Sequence, residues 1–142
     1  MRAFLDTSVL VAAFYADHEH HSASLDTFLR FGKNDACCAA HSLAEVYAVL
    51  TSMPAPRRIT GEQALLFLGD IRTNLTLVAL TAREYVQMVE EVGAAGITGG
   101  MIYDALLGYC ALKAQSIVIY TWNTKHFLRL PQAIASRVKT PA

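Results

Sequence analysis

Apolar residues fall along this chain in short solid runs, separated by longer stretches with helical spacing. Residues 2–5 (RAFL), 36–40 (ACCAA), 75–80 (LTLVAL) and 116–121 (SIVIYT) show little polar alternation. Runs of that length read as strands covered on both faces. Residues 7–16, 20–32, 42–53, 60–74, 81–96 and 99–114 read as helices, and 123–130 as a short helical turn. Pro54 and Pro56 stop the third helix, and Gly32 follows the second. Thr60 with Gln63, and Thr81 with Glu84, have the spacing of capping boxes.

Strand and helix alternate, and the strands are uniformly apolar. This predicts an α/β sandwich around a central, mostly parallel sheet of four to five strands. One domain is expected over residues 1–142, with a short C-terminal tail from about 131. Ligands of such sheets gather beyond the carboxyl ends of the strands. Asp6 stands at the end of the first strand, and Asn123 just past the last.

Composition narrows the functional classes. Twelve basic and twelve acidic residues cancel, which excludes a strongly basic nucleic-acid binder but leaves room for a local patch. After Asp104 there is no acid, while Lys113, Lys125, Arg129, Arg137 and Lys139 follow. Three cysteines form no C-x-x-C pair and lie among apolar residues, as expected of buried thiols in a reducing cytoplasm. Asp6 interrupts the apolar run after Arg2, against a signal peptide. Residues 92–112 carry five glycines and Asp104, a poor membrane span.

The distribution of acids is the strongest chemical signal. Asp6 is the only formal charge between Arg2 and Asp17, Glu45 between Asp35 and Arg57, and Asp104 between Glu91 and Lys113. An unpaired buried carboxylate costs several kcal/mol, so each must be solvated, protonated or held by a shared cation. Helix capping is one explanation for Asp6, and a Ser42–Glu45 capping box is one for Glu45. Asp104 has Gly100, Met101, Leu107 and Gly108 as its helical neighbours, a small apolar face that leaves room for a close approach. Convergence of the three at one rim of the sheet would call for a hard divalent cation, Mg²⁺ or Mn²⁺. Asn123 can add an amide oxygen or hold a water. The hydroxyls of Thr7, Ser8 and Thr121 can tie down carboxylates.

The stretches FLDTSVLVAAF, SLAEVYAVLTSMPAPRRIT, GGMIYDALLGYCAL and VIYTWNTKHF resemble, in order and spacing, the four motif regions of PIN-domain proteins. The likeness is greatest to the VapC-type toxin ribonucleases of toxin–antitoxin modules, and it runs from Met1 to about Leu130. It implies a PIN-like α/β/α sandwich and a Mg²⁺- or Mn²⁺-dependent endoribonuclease. It also implies a homodimer silenced by a cognate antitoxin. By position, Asp6, Glu45 and Asp104 match the acidic metal-site residues, and Thr7 and Ser8 the hydroxyl pair after the first Asp. Asn123 matches a fourth position that is often Asp. Its amide lacks the fourth negative charge, so a second ion would be held more weakly.

The expected reaction is attack of metal-activated water on an RNA phosphodiester. Asp6 and Asp104 are expected as direct ligands. Glu45 is expected as a ligand, a water-mediated ligand or a proton acceptor. Lys125, His126 and Arg129 are candidates for holding the RNA backbone. His18 to His21 (HEHH) lack the paired spacing of a structural zinc site and read as a solvated helix start. Phe28, Phe31, Phe67 and Tyr85 read as helix packing, and Arg57 and Arg58 as part of an exposed connector. A phosphatase with a second Asp two residues after the first is excluded by Ser8, and a P-loop by the missing glycine-lysine motif. The remaining rival is a catalytically impaired RNA-binding or interaction module, which Asn123 favours.

Overall fold

The computed structural model describes all of residues 1–142. In chain order the elements are β1 (Ala3–Leu5), α1 (Thr7–Phe14), α2 (His21–Arg30), β2 (Ala36–Ala39), α3 (Ala40–Ser52), α4 (Gly61–Asn74) and β3 (Thr76–Val78). They continue with α5 (Ala82–Ala94), α6 (Met101–Lys113), β4 (Val118–Tyr120), α7 (Thr124–Phe127), α8 (Gln132–Ala135) and β5 (Val138–Lys139). The strands form one sheet in the order β3-β2-β1-β4-β5, and every pairing is parallel. The chain builds outward from β1 through β2 to β3, then returns to place β4 on the other side of β1. That reversal opens a crevice at the carboxyl ends of β1 and β4, where open α/β sheets bind ligands.

The helices cover both faces, so the core is double. Side chains alternate across a strand. Ala3 and Leu5 of β1 and Ala36 and Cys38 of β2 therefore pack with α1, α2, α3 and α4. Phe4, Cys37 and Ala39 pack on the opposite face with α5, α6, α7 and α8. The three cysteines are free and buried. Burial pushes the Cys38 thiol up to about 12 and the Cys110 thiol up to about 11, so neither is a reactive thiolate. Both predicted capping boxes, Thr60–Gln63 and Thr81–Glu84, are formed reciprocally. No helix is long and apolar enough to cross a membrane.

Three expectations need correction. The segment after residue 131 is not a tail: it forms α8 and β5, and β5 completes the sheet against β4. The third helix begins at Ala40, two residues before the supposed cap, so Ser42 and Glu45 form no capping box. Tyr85 projects from α5 with 42% of its surface exposed instead of packing, unlike Phe28 and Phe31, which are buried.

Gly108 shows how the last segment is seated. A Cβ there would stand 2.9 Å from two carbons of Ile134, which is fully buried. The Gly108 part of the small-residue face next to Asp104 thus admits α8. Replacing a helical glycine by alanine contributes roughly 1 kcal/mol of helix propensity. Overpacking costs about 1–3 kcal/mol. Gly108→Val adds bulk without alanine's propensity and is expected to destabilise by about 2 kcal/mol or more in urea denaturation. An unchanged midpoint would show that Ile134 yields freely.

Candidate active site: a carboxylate cleft at the reversal of strand order

Asp6 follows β1 directly and is the N-cap of α1, accepting from the Ser8 backbone N–H at 3.4 Å. This position buries it to 2% exposure at the head of the sheet. The Ser8 and Thr121 hydroxyls each donate to Asp6 Oδ2 at 2.7 Å. Both hydroxyls are oriented in turn by backbone amides of the loop after β4. Ser8 Oγ accepts from Trp122 N at 3.0 Å, and Thr121 Oγ1 accepts from Asn123 N at 2.9 Å. All three hydrogen bonds to Asp6 fall on Oδ2 and none on Oδ1.

Glu45 reaches the same cleft from α3. Thr7 Oγ1 lies 2.8 Å from Glu45 Oε1 and 2.8 Å from Ser42 Oγ. Thr7 is the donor in both contacts, so its one hydroxyl proton is shared between Glu45 Oε1 and Ser42 Oγ. Ser42 therefore serves the site through Thr7 instead of capping the helix. Asp104, in the first turn of α6, lies 3.3 Å from Nδ1 of His126. The neighbours of Glu45 and Asp104 among potential cations are histidines: His41 stands 3.9 Å from Glu45. No Lys or Arg forms an ion pair with any of the three acids.

The charges feel one another. Burial raises the Asp6 carboxyl above its ordinary range and outweighs the hydrogen bonds that favour its charged form. Burial also raises Asp104, with repulsion from Asp6 next and His126 opposing both. In metal-free protein the folded state therefore holds protons at a pH where the unfolded chain has released them. By linkage, stability falls as pH rises from the ordinary carboxylate range through the raised values. Denaturation in chelator between about pH 4 and about pH 7 is expected to show this loss relative to Asp6→Asn, in which it shrinks. Coincident curves for parent and variant would refute it.

The cleft has a volume of about 470 Å³ and is lined by Asp6, Thr7, Ser8, Glu45, Asp104 and Asn123. Thr121 stands buried beneath Asp6. Asn123 is exposed at the cleft edge. Lys125 and Arg129 are exposed and do not line the cleft, whereas His126 touches Asp104. The HEHH stretch is not simply solvated: His18, Glu19 and His20 line the cleft, and His21 Nδ1 bonds the Ala12 carbonyl at 2.8 Å. Sequence reasoning also passed over Tyr103 and Trp122, both on the cleft wall. Their signal was adjacency, since Tyr103 precedes Asp104 and Trp122 precedes Asn123.

No three His, Cys, Asp or Glu side chains are arranged to hold an ion unaided. The donors nevertheless fit a hard cation. They are oxygens, Asp6 Oδ1 takes no protein hydrogen bond, and the acids repel with no Lys or Arg paired to them. Mg²⁺ keeps several waters and needs only one or two direct carboxylates.

The PIN domain model matches residues 3–132. Over 109 residues, 77% of this chain, it is 38% identical to Ribonuclease VapC40 of Mycobacterium tuberculosis, covering 78% of that protein. Ribonuclease VapC27 of the same species is 30% identical over a stretch of equal length, 76% of its own chain. Among solved structures, VapBC2 from Rickettsia felis bound to a DNA fragment from their promoter aligns with a TM-score of 0.67 at 19% identity. It covers 99% of this chain and 98% of that one. VapC20 of Mycobacterium tuberculosis, a Sarcin-Ricin loop cleaving toxin, aligns at 0.70 and 17% identity over 87% and 92% of the two chains. The five-stranded parallel sheet is thus the PIN-like α/β/α fold, and the chain belongs to the PIN-domain family, with the VapC ribonucleases as its relatives.

Proposed function

We propose that this chain is a Mg²⁺- or Mn²⁺-dependent endoribonuclease, the toxin of a toxin–antitoxin pair. The observation that carries this reading is Asp6: a buried carboxylate with three donors on one oxygen and none on the other. It shares its cleft with three more acids, Glu19, Glu45 and Asp104, and no Lys or Arg. Kinship with VapC40 and VapC27 supports RNA as the substrate. The Rickettsia felis VapBC2 assembly supports a cognate antitoxin as partner. Exposed Leu65 and Leu66 on α4, and Tyr85, Val86 and Val89 on α5, support docking surfaces for that antitoxin and a second copy. Free, buried cysteines support a cytoplasmic setting.

In this reading Asp6 and Asp104 hold the ion and Glu45 stands beside them. A bound divalent ion lowers the pKa of a water and offsets charge developing on the phosphate. The chain orients the reactants. Ser8 and Thr121 keep Asp6 Oδ1 turned to the cleft. Thr7 fixes Oε1 of Glu45, leaving its other oxygen to take a proton from the attacking water. That water's oxygen bonds phosphorus as the P–O3′ bond breaks, and the departing O3′ takes a proton from solvent, leaving 5′-phosphate and 3′-hydroxyl ends.

The test incubates the purified chain with mixed RNAs in Mg²⁺, Mn²⁺ or chelator, beside Asp6→Ala and Asp104→Ala. Cutting that needs metal and disappears in both variants is expected. Variants that cut like the parent would remove the site assignment. RNA binding without cutting in either metal would make the chain an impaired module.

A further inference from the structure

The cleft that would receive RNA is lined by four acids, Asp6, Glu19, Glu45 and Asp104, and by no Lys or Arg. Sequence-independent affinity for nucleic acid comes mainly from basic side chains at phosphates. Here that source is missing from the cleft wall, and Lys125 and Arg129 lie outside it. A bound divalent ion would offset part of the acidity at one phosphate only. Some other attraction must hold the neighbouring nucleotides.

The walls supply one. Tyr103, 55% exposed, lies nearly parallel to the His41 ring, at 4° with centroids 5.9 Å apart. His20 lies on Trp122 at 8° and 3.7 Å. Trp122 is itself fixed, with Nε1 donating to Ser24 Oγ at 2.8 Å and its backbone N–H to Ser8 Oγ. Each pair therefore sets a partly exposed ring against a ring that braces it. The topology separates the pairs. His41 comes from the helix after β2 and Trp122 from the loop after β4, and these strands flank β1, which leads directly into Asp6. Aromatic rings beside a nuclease cleft, partly exposed and each parallel to a second ring, match what unstacked bases require.

We propose that Tyr103 and His20 are base-stacking residues on either side of the carboxylates, so that the cleft grips single-stranded RNA by its bases rather than its phosphates. The inference rests on the ribonuclease reading and adds the means of substrate binding. Duplex RNA, whose bases are already stacked, offers these rings nothing.

The test measures binding of the full chain to a labelled single-stranded RNA in chelator. Trp122 is the only tryptophan, so quenching of intrinsic fluorescence reports occupancy of its wall directly. Tyr103→Ala and His20→Ala are each expected to weaken binding about tenfold, within the range of one lost base stack. Tyr103→Phe and His20→Phe should bind like the parent, which separates stacking from lost polar contacts. Matching circular dichroism and melting midpoints show that the variants fold. Affinity should change little between about 50 mM and about 200 mM salt, unlike phosphate-held complexes. Alanine variants that bind like the parent, or duplex RNA that binds as tightly as single strands, would overturn the proposal. A parallel cleavage assay in Mg²⁺ and Mn²⁺ keeps the two readings apart. A parent that cuts, with alanine variants that bind and cut equally well, overturns stacking alone. A parent that cuts nothing overturns the ribonuclease reading, and tenfold binding losses would still support the stacking walls.

Discussion

Asp6→Asn is expected to lower RNA cleavage by about 10³-fold while leaving the metal-free fold at least as stable as the parent. The two halves of this result share a cause. Asparagine occupies the same volume, caps a helix as well as aspartate does, and offers one carbonyl oxygen. That oxygen can accept from Ser8 and Thr121 as Asp6 Oδ2 does. The amide nitrogen then replaces Oδ1, the oxygen without a protein partner, and a donor at that place repels a cation. A metal supplies several kcal/mol of transition-state stabilisation, and about 4 kcal/mol corresponds to 10³ in rate. Removing the charge also ends its repulsion with Asp104 and the cost of its burial. Initial rates in Mg²⁺, with urea denaturation in chelator, check both halves. Near-parental rates would show that Asp6 only caps α1. A large loss of stability would show that its charge serves the fold.

The parts of this site that were legible in the sequence are those with a local signature. Asp6, Glu45 and Asp104 stood out because each was alone in an apolar stretch, a pattern with an electrostatic consequence wherever the stretches fold. The strands were legible because solid apolar runs need cover on both faces, as Phe4 and Leu5 now show by entering opposite cores. Ser42 misled because the capping-box spacing is also the spacing of one helical turn. The same two residues meet Thr7 across 35 and 38 positions, contacts no local rule reports. The HEHH stretch misled for a similar reason. Its role depends on Trp122, which reaches His20 only when β4 lies beside β1. The last strand was invisible because Val138 and Lys139 carry no pattern of their own. They become a strand by pairing with Ile119 and Tyr120.

That last strand sets up the second large effect: a chain ending at Pro131 is expected to lose most of its folding stability. The deletion removes Ile134, which is fully buried against Gly108, and burial of a comparable side chain contributes about 2–5 kcal/mol. It strips the backbone partners of Ile119, whose N–H donates to the Arg137 carbonyl at 2.9 Å, and of Thr121, whose N–H donates to the Lys139 carbonyl at 3.0 Å. It also removes the Arg137 guanidinium from the Ser116 carbonyl, 2.6 Å away. Set against a typical total of about 5–15 kcal/mol, these losses leave little. The damage also reaches the cleft by a traceable route. Lys139 holds the backbone of Thr121, and Thr121 holds Asp6. Urea denaturation of the shortened chain beside Ile134→Ala separates the contributions. Ile134→Ala should lower the midpoint while keeping a cooperative transition, whereas the shortened chain should show no folded baseline or a far lower midpoint. A shortened chain that melts with the parent would mean that β4 can serve as a sheet edge and that α8 is dispensable.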